Sequence, residues 1–470
     1  MGRNLRCLAL FLAALPAIQA EDWNRFRGPN GSGVLAGVTL PAKLENPAWR
    51  TPLPFARSSP VIAGDRIFAT ASEGGKLITF AIDRATGKIQ WRREIVPPRV
   101  ATIYKANDAA SPTPATDGKN VYAFFADLGL VSYGPDGNER WRVPLGPFDT
   151  FYGLGASPLV ANETMVMVCD DRSKPFIIAV DTTNGKVRWR IDRKDTDYEG
   201  YSTPVVYEPK GQPAQVVVLG AHRIDAYDLK TGEMVWWFKG IAYFPIASPV
   251  IVKAGGNDVL IATSFGMDGP SGPSFDDMLK KRDTNHDGKL SREELKDEGE
   301  YYDQFGAFDY NNNGFIEREE FAKLMGGAKG DYGMVAIKLG GKGDLTKQGY
   351  LWRETKNYSN MSSPLIHQDI VYIIKSGGII AALDLATAKA HKVGRTKDAI
   401  DEYWASPVAA GDRLLFVSGT GKVSVLKAGA EWEVLGVTDL KEDVFATPAL
   451  GAGMVFIRTR EALYAFRAAP

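Results

Sequence analysis

The chain has 470 residues, and its 56 Lys plus Arg balance 56 Asp plus Glu to a formal net charge of zero. That balance excludes a nucleic-acid binder or a polybasic membrane-surface protein, both of which need an excess of one sign. Apolar residues make up 44% and aromatics 11%, too much for a disordered chain, and the 49 Gly and 27 Pro fall between short apolar runs, the punctuation of an all-β protein.

In chain order, the first predicted element is a secretory signal over residues 1–20. Arg3 and Arg6 precede an apolar stretch from Leu8 to Ile18, and Ala20 sets a cleavage point before Glu21. The segment is too short to span a bilayer, and no later apolar run is long enough, so a periplasmic or secreted protein is expected. Cys7 leaves with the signal and lies too early in it to take a lipid. Cys169 then stands alone, and the mature chain can form no intramolecular disulfide.

From Ser58 onward one pattern recurs eight times: a small or hydroxyl residue, Ser or Thr, Pro, then an apolar strand. The marker prolines are Pro60, Pro112, Pro158, Pro204, Pro249, Pro364, Pro407 and Pro448, a period of roughly 45 residues, which is that of propeller blades. Each period divides into four antiparallel strands, as in SSPVIAG, RIFATAS, KLITFAID and IQWRREI, predicted at five to eight residues each. The fourth strand carries Trp91, Trp141, Trp189, Trp236 or Trp352, a large ring at fixed register that packs between neighbouring blades. Two weaker copies, ALDLATAKAHKVG and VLKAGAEWEVLGV, lack the Gly or Trp but keep the alternation. ALYAFRAAP at the end supplies a third strand without a fourth, and NPAWRTPL near the start supplies an unpartnered strand. Joining them closes an eighth blade and removes the open sheet edge, with seven blades as the alternative.

The fifth period departs at GMDGPSGPS and resumes near Asp331. Ser274 to Met325 holds 14 acidic and 8 basic residues, and two stretches fit the twelve-position EF-hand template. In the first loop Asp283, Asn285 and Asp287 fill positions 1, 3 and 5, Gly288 the turn, and Glu294 position 12. In the second the same places are taken by Asp309, Asn311, Asn313, Gly314 and Glu320. The carbonyls of Lys289 and Phe315 serve position 7, and Ser291 and Glu317 position 9. Six to eight oxygens on a turning loop suit a hard cation, so one or two Ca²⁺ ions are expected, with Leu290 and Ile316 pairing between the loops. Amphipathic stretches SFDDMLKKR, LKDEGEYYDQFGAF and REEFAKLM flank the loops. The second loop is the more exposed to decay, because Asn replaces Asp at two positions. The insertion follows the second strand of its blade, so it belongs on the face where each first strand begins, as a lid or docking arm over the channel mouth.

Six residues ahead of the marker Pro stand Tyr152, Tyr198, Tyr243 and Tyr358, with Pro54, Ala106, Asp401 and Glu442 in the remaining copies. A ring of phenols could grip a ligand, although packing of the blade tops accounts for it as well. His222, His286, His367 and His391 are scattered, and no nucleophile elbow, phosphate loop or dinucleotide fingerprint is present. No catalytic residue can be named.

DWNRFRGPNGSG from Asp22, the SSPVIAGDRIF first strand, and AIDRATGKIQW, AVDTTNGKVRW and AYDLKTGEMVW resemble bacterial proteins with pyrroloquinoline-quinone (PQQ)-binding-like propeller repeats. The resemblance covers the mature chain outside the insertion. It implies either a calcium-dependent PQQ dehydrogenase of alcohols or sugars, with an adjacent-cysteine disulfide and an Asp base, or a non-catalytic scaffold like the propeller lipoprotein of the outer-membrane barrel-assembly machinery. The missing cysteine pair turns the expectation toward the scaffold, calcium-binding and secreted, with a protein partner or small ligand at the mouth and PQQ unsupported. The expected architecture is an all-β, eight-bladed propeller of four-stranded blades with an α-helical EF-hand pair in the fifth blade. Its segments are residues 1–20 (signal), 21–266 and 331–470 (propeller) and 267–330 (insertion).

Overall fold

The computed structural model describes residues 23–467 except 102, 195, 197–198, 266–272, 328–329 and 360, so the predicted signal lies outside the described residues. Eight antiparallel sheets form the blades of one propeller. Blade 1 is Val61–Ala63, Arg66–Glu73, Lys76–Asp83 and Ile89–Ile95, and each later blade repeats that meander. The eighth closes as the sequence requires: Trp49–Pro52 pairs antiparallel with Ala462–Arg467, Trp49 opposite Ala465. The weak copies are ordinary blades, with Ile379–Asp384 pairing Ala390–Arg395 and Lys422–Lys427 pairing Glu433–Asp439.

The first strands are shorter than the predicted five to eight residues, only three in Val61–Ala63, Leu159–Ala161 and Val408–Ala410, because they crowd the axis where the ring is narrowest. Second and third strands are buried on both faces between stacked blades, so Val121–Phe125 and Thr164–Cys169 read as continuous buried runs. Fourth strands alternate, and in Ile89–Ile95 the buried position is Trp91.

Trp fastens one blade to the next. Trp49 Nε1 donates to Arg84 O (3.1 Å), Trp91 to Pro135 O (3.0 Å), Trp141 to Thr182 O (2.9 Å) and Trp189 to Leu229 O (3.1 Å), each acceptor lying in the following blade's last turn. The same rings lie on Gly87, Gly137, Gly185 and Gly232, at φ of 72–76°, where an added Cβ would stand 2.6–2.8 Å from the indole. Trp352 repeats the bond to Leu385 O at 2.9 Å. Trp236 departs, donating to Gln215 Oε1 within its own blade, because the next blade's turn is replaced by Gly343–Asp344 pairing along its strand. In blade 6 the roles invert, with Lys392 Nζ 4.5 Å above the ring of Trp432 from blade 7.

Residues 23–35 cross the channel. Trp23 O accepts from Ile62 in blade 1, Asn24 O from Thr116 in blade 2, and Asn30 exchanges two bonds with Val206 in blade 4. Arg27 Nη2 donates to Pro364 O in blade 6 at 2.7 Å, and Val34–Leu35 pairs parallel with Ala409–Ala410 in blade 7. The channel is therefore stoppered by its own N-terminal segment.

Candidate functional site

The stoppered channel leaves a cup of about 540 Å³ on the face where the first strands begin, within the range of roughly 300–1,000 Å³ usual for small-molecule sites. Its geometry follows from the repeat. The backbone entering each first strand is extended, so residues one and three places before the marker Pro turn to the same side. At the first place stand Ser59, Thr113, Ser157, Thr203, Ser248, Ser363, Ser406 and Thr447, and all eight line the cup. At the second stand Arg57, Ser111, Gly155, Tyr201, Ile246, Met361, Trp404 and Phe445, and these line it too. Phe26 of the stopper completes the floor. The second copy is thereby re-registered: its marker is Thr113-Pro114, not Pro112, and the residue six places ahead is Asp108 instead of Ala106.

The hydroxyls tie the blades into a collar. Ser59 N–H donates to Thr113 Oγ1, Thr113 to Ser157, Ser157 to Thr203, Thr203 to Ser248, Ser248 to Ser363, Ser363 to Ser406 and Ser406 to Thr447, all at 2.9–3.1 Å. No matching bond joins Thr447 N–H to Ser59, whose buried Oγ has no partner among the described residues.

The tyrosine ring divides. Tyr152 faces the cup. Tyr243 is buried against His222 and Phe244, Tyr358 packs on Tyr332, and Tyr198 lies outside the described residues. The offset of six had selected one cup residue of the three described. The offset of three selects seven cup residues in the same alignment, and eight once the second copy is re-registered to Pro114. His367 Nε2 donates to Gly411 O (2.8 Å), His391 lies 4.0 Å from Asp384, and His286 sits in the first EF-hand loop, so the histidines remain scattered.

The insertion leaves blade 5 after Asn257–Ser264 and returns at Gly333–Lys338. It folds around its own core of Phe275, Met278, Leu290, Leu295, Phe305, Phe308, Ile316 and Phe321. Helix α1 (Phe275–Arg282) starts with a capping box between Ser274 and Asp277. The amphipathic stretch between the loops is not one helix. Gly299, at φ 50°, divides it into a turn and the four-residue helices α2 (Glu300–Asp303) and α3 (Phe305–Phe308), and α4 (Arg318–Gly327) follows the second loop.

The two loops share one backbone. His286 and Gly288 in the first, and Asn312 and Gly314 in the second, all have positive φ. Asp283 accepts from Asp287 N–H and Gly288 N–H, and Asp309 from Asn313 N–H and Gly314 N–H. Asn285, Asp287, Asn311 and Asn313 each accept from the N–H two places on. Glu294 reaches back to Thr284 and Ser291, and Glu320 to Tyr310, Asn311 and Glu317. The position-8 pair forms as expected, Leu290 opposite Ile316. Glu317 is also held by Lys289, whose hydrogen bond is the largest cause pulling its carboxyl below the usual range. Among the described residues no cluster of three or more His, Cys, Asp and Glu side chains is poised on one metal position. Each loop's donor set instead combines three carboxylates with one or two amides and a backbone carbonyl, the first adding the Ser291 hydroxyl, a chemistry that fits Ca²⁺.

The second loop and the segment before it press onto the cup rim. Tyr152 Oη donates to Gln304 Oε1 (3.2 Å), and Gln304 lines the cup. Arg172 Nη1 donates to Gly306 O (2.8 Å) while its guanidinium lies 4.7 Å from the Tyr310 ring. Arg172 also pairs with Glu199 at 2.6 Å, both buried, and Glu199 accepts from Phe151 N–H and Tyr201 Oη. Tyr310 joins Tyr243, Phe244 and Phe265 in an apolar cluster. Burial, then neighbouring Tyr104 and Glu199, pushes the Tyr152 phenol up to about 12, and burial followed by Glu199 pushes Tyr201 well up, so both remain protonated.

The family model for the outer membrane protein assembly factor BamB matches residues 38–151 and 136–239, and an EF-hand model matches 275–297 and 302–325. No curated protein matches the chain. Among solved structures, BamB from Moraxella catarrhalis is 13% identical with a TM-score of 0.55, covering 90% of this chain and 97% of that one. The quinohemoprotein alcohol dehydrogenase from Comamonas testosteroni is 12% identical with a TM-score of 0.60, covering 96% and 81%. The computationally designed Ika8 protein is 10% identical with a TM-score of 0.53, covering 92% and 100%. At these identities the structural likeness establishes the fold alone. No described helix is long and apolar enough to cross a membrane.

Proposed function

We propose that this chain, a propeller of PQQ-like repeats carrying an EF-hand pair, is a calcium-binding, non-catalytic binding scaffold that works in the periplasm or outside the cell. The observation that supports this reading is the chemistry of the cup. Its described lining has no carboxylate, histidine, lysine or cysteine, so it offers no general base and no activated nucleophile. Its half-buried phenols, Tyr152 and Tyr201, are held protonated. The scaffold role also agrees with the BamB family match over residues 38–239.

In this reading Asp283, Asn285, Asp287, Ser291, Glu294 and the carbonyl of Lys289 hold one Ca²⁺. Asp309, Asn311, Asn313, Glu317, Glu320 and the carbonyl of Phe315 hold a second. Calorimetric titration should return two ions, with Glu294→Gln and Glu320→Gln each removing one.

The second reading, a PQQ-dependent dehydrogenase of alcohols or sugars, is favoured by the quinohemoprotein likeness. The donor set does not match what that activity implies. No described cup residue supplies an Asp base or a carboxylate to hold a metal beside the quinone, and Cys169 is buried and unpaired in the blade core. Titration with pyrroloquinoline quinone in calcium, followed by tryptophan fluorescence and dye reduction with alcohols and sugars, separates the two. No turnover is expected, and saturable quenching with turnover would overturn the scaffold reading.

A further inference from the structure

The collar of eight hydroxyls is unevenly used. Seven accept a backbone N–H from the preceding blade, and none of the eight donates its own O–H to an acceptor among the described residues. The exception, Ser59, neither accepts nor donates, though it is 2% exposed and lines the cup. Two residues before it stands Arg57, the one charged side chain in the described lining. Its guanidinium makes no hydrogen bond among the described residues. It rests 4.1 Å over the Phe445 ring, with Asp108 3.8 Å away. Asp108 is already engaged by the N–H groups of Arg57 and Ala110 and by the Ser111 hydroxyl. Burial, opposed by Asp108 and reinforced by Arg460, lowers the Arg57 pKa from its ordinary value, and the group stays cationic at neutral pH.

A cavity that offers donors and a cation while holding no carboxylate selects for an anion. The aromatic wall narrows the class. Tyr152 meets Tyr104 at 84°, Tyr201 at 82° and Phe244 at 88°, and Tyr201 meets Phe244 at 50°, so none of these touching pairs is stacked face to face. Single ring faces beside a collar of hydroxyls suit a puckered saccharide, whose C–H face lies on an aromatic and whose hydroxyls meet the collar.

Resting on the non-catalytic reading of the cup, we propose that it binds an acidic saccharide, with a hexuronate carboxylate held by the Arg57 guanidinium and the Ser59 hydroxyl. The bound sugar is held without chemistry, because nothing in the lining can protonate a leaving group or activate water.

The test is calorimetric and fluorescence titration of the full mature chain, in calcium, with trigalacturonate, its methyl ester and sodium sulfate. Trp404, 41% exposed at the cup, is the reporter. Trigalacturonate should bind saturably, and the ester at least about tenfold more weakly, the loss expected when a charge-assisted hydrogen bond is removed. Arg57→Gln should abolish the preference for acid over ester, and Arg57→Lys should restore part of it. Melting temperature and calcium stoichiometry should not change in either variant. Equal binding of acid and ester, no binding of either, a preference unchanged in Arg57→Gln, or sulfate binding as tightly as trigalacturonate would each overturn the proposal. Quinone turnover in the parallel titration overturns the scaffold reading itself. Absence of both turnover and saccharide binding overturns only the saccharide.

Discussion

Around the ring, one blade meets the next through contacts repeated many times: an indole on a turn glycine, its N–H on a carbonyl, and a collar hydroxyl accepting from the neighbouring backbone. The lid meets the ring once, through Arg172, Tyr152 and the Tyr310 cluster, over blades 2 to 5. Repetition spreads the load, so loss of one ring contact leaves the others in place. Concentration makes the lid sensitive to single changes. The two EF-hand loops divide along the same line. Positions 3 and 5 are exposed in both, but at the end positions Asp283 and Glu294 of the first are half-buried while Asp309 and Glu320 of the second are 6% and 9% exposed, next to the residue that packs on the rim.

The largest effect should come from breaking the ring. Trp141→Ala removes a nearly buried indole and its bond to Thr182, and should lower global stability by about 3–5 kcal/mol in denaturant unfolding while leaving both calcium sites filled. Arg172→Met comes next. It strands Glu199 in a buried position, at a cost of about 3 kcal/mol, and should release the lid, read as faster hydrogen exchange over residues 300–310 without a change in the outer blades. Glu320→Gln should raise exchange at Tyr152, Phe151 and the lid together, whereas Glu294→Gln should leave the rim unchanged. Equal effects from the two would erase the distinction between the loops.

The smallest effect should appear at the seam of the ring. Burial favours protonation of Glu442, but hydrogen bonds from Thr459, Tyr464 and the closing strand's Arg50 outweigh it and hold its pKa below the usual value. A lowered carboxyl pKa stabilises the fold above the ordinary carboxylate range and is lost as pH falls through the folded value. Glu442→Gln should therefore flatten a modest acid-side drop in melting temperature.

The repeat made the ring legible, since hydroxyl-Pro markers, turn glycines and strand-four tryptophans are local signals that a period of roughly 45 residues multiplies. Closure by Trp49–Pro52 was legible because an odd strand at each end has one solution. The loops were legible because calcium dictates residue type position by position. The cup was written in the sequence too, three residues before each marker, but the run of tyrosines at six drew attention to side chains that mostly pack the blade tops. The stopper had no local signature, because residues 23–35 find their partners across the whole ring.

The stopper also governs the order in which the molecule can be built. Trp23 and Asn24 find partners in blades 1 and 2, but Val34 pairs with Ala409 and Arg50 bonds Tyr464 across 414 positions, so the N-terminal segment is fully seated only when the last two blades are in place. A chain still being made is an open arc with bare apolar edges, and such long-range closure is slow and prone to aggregate. Phe26 brings the floor of the cup into place in the same event. A cup able to hold its ligand is thus evidence that the ring has already shut.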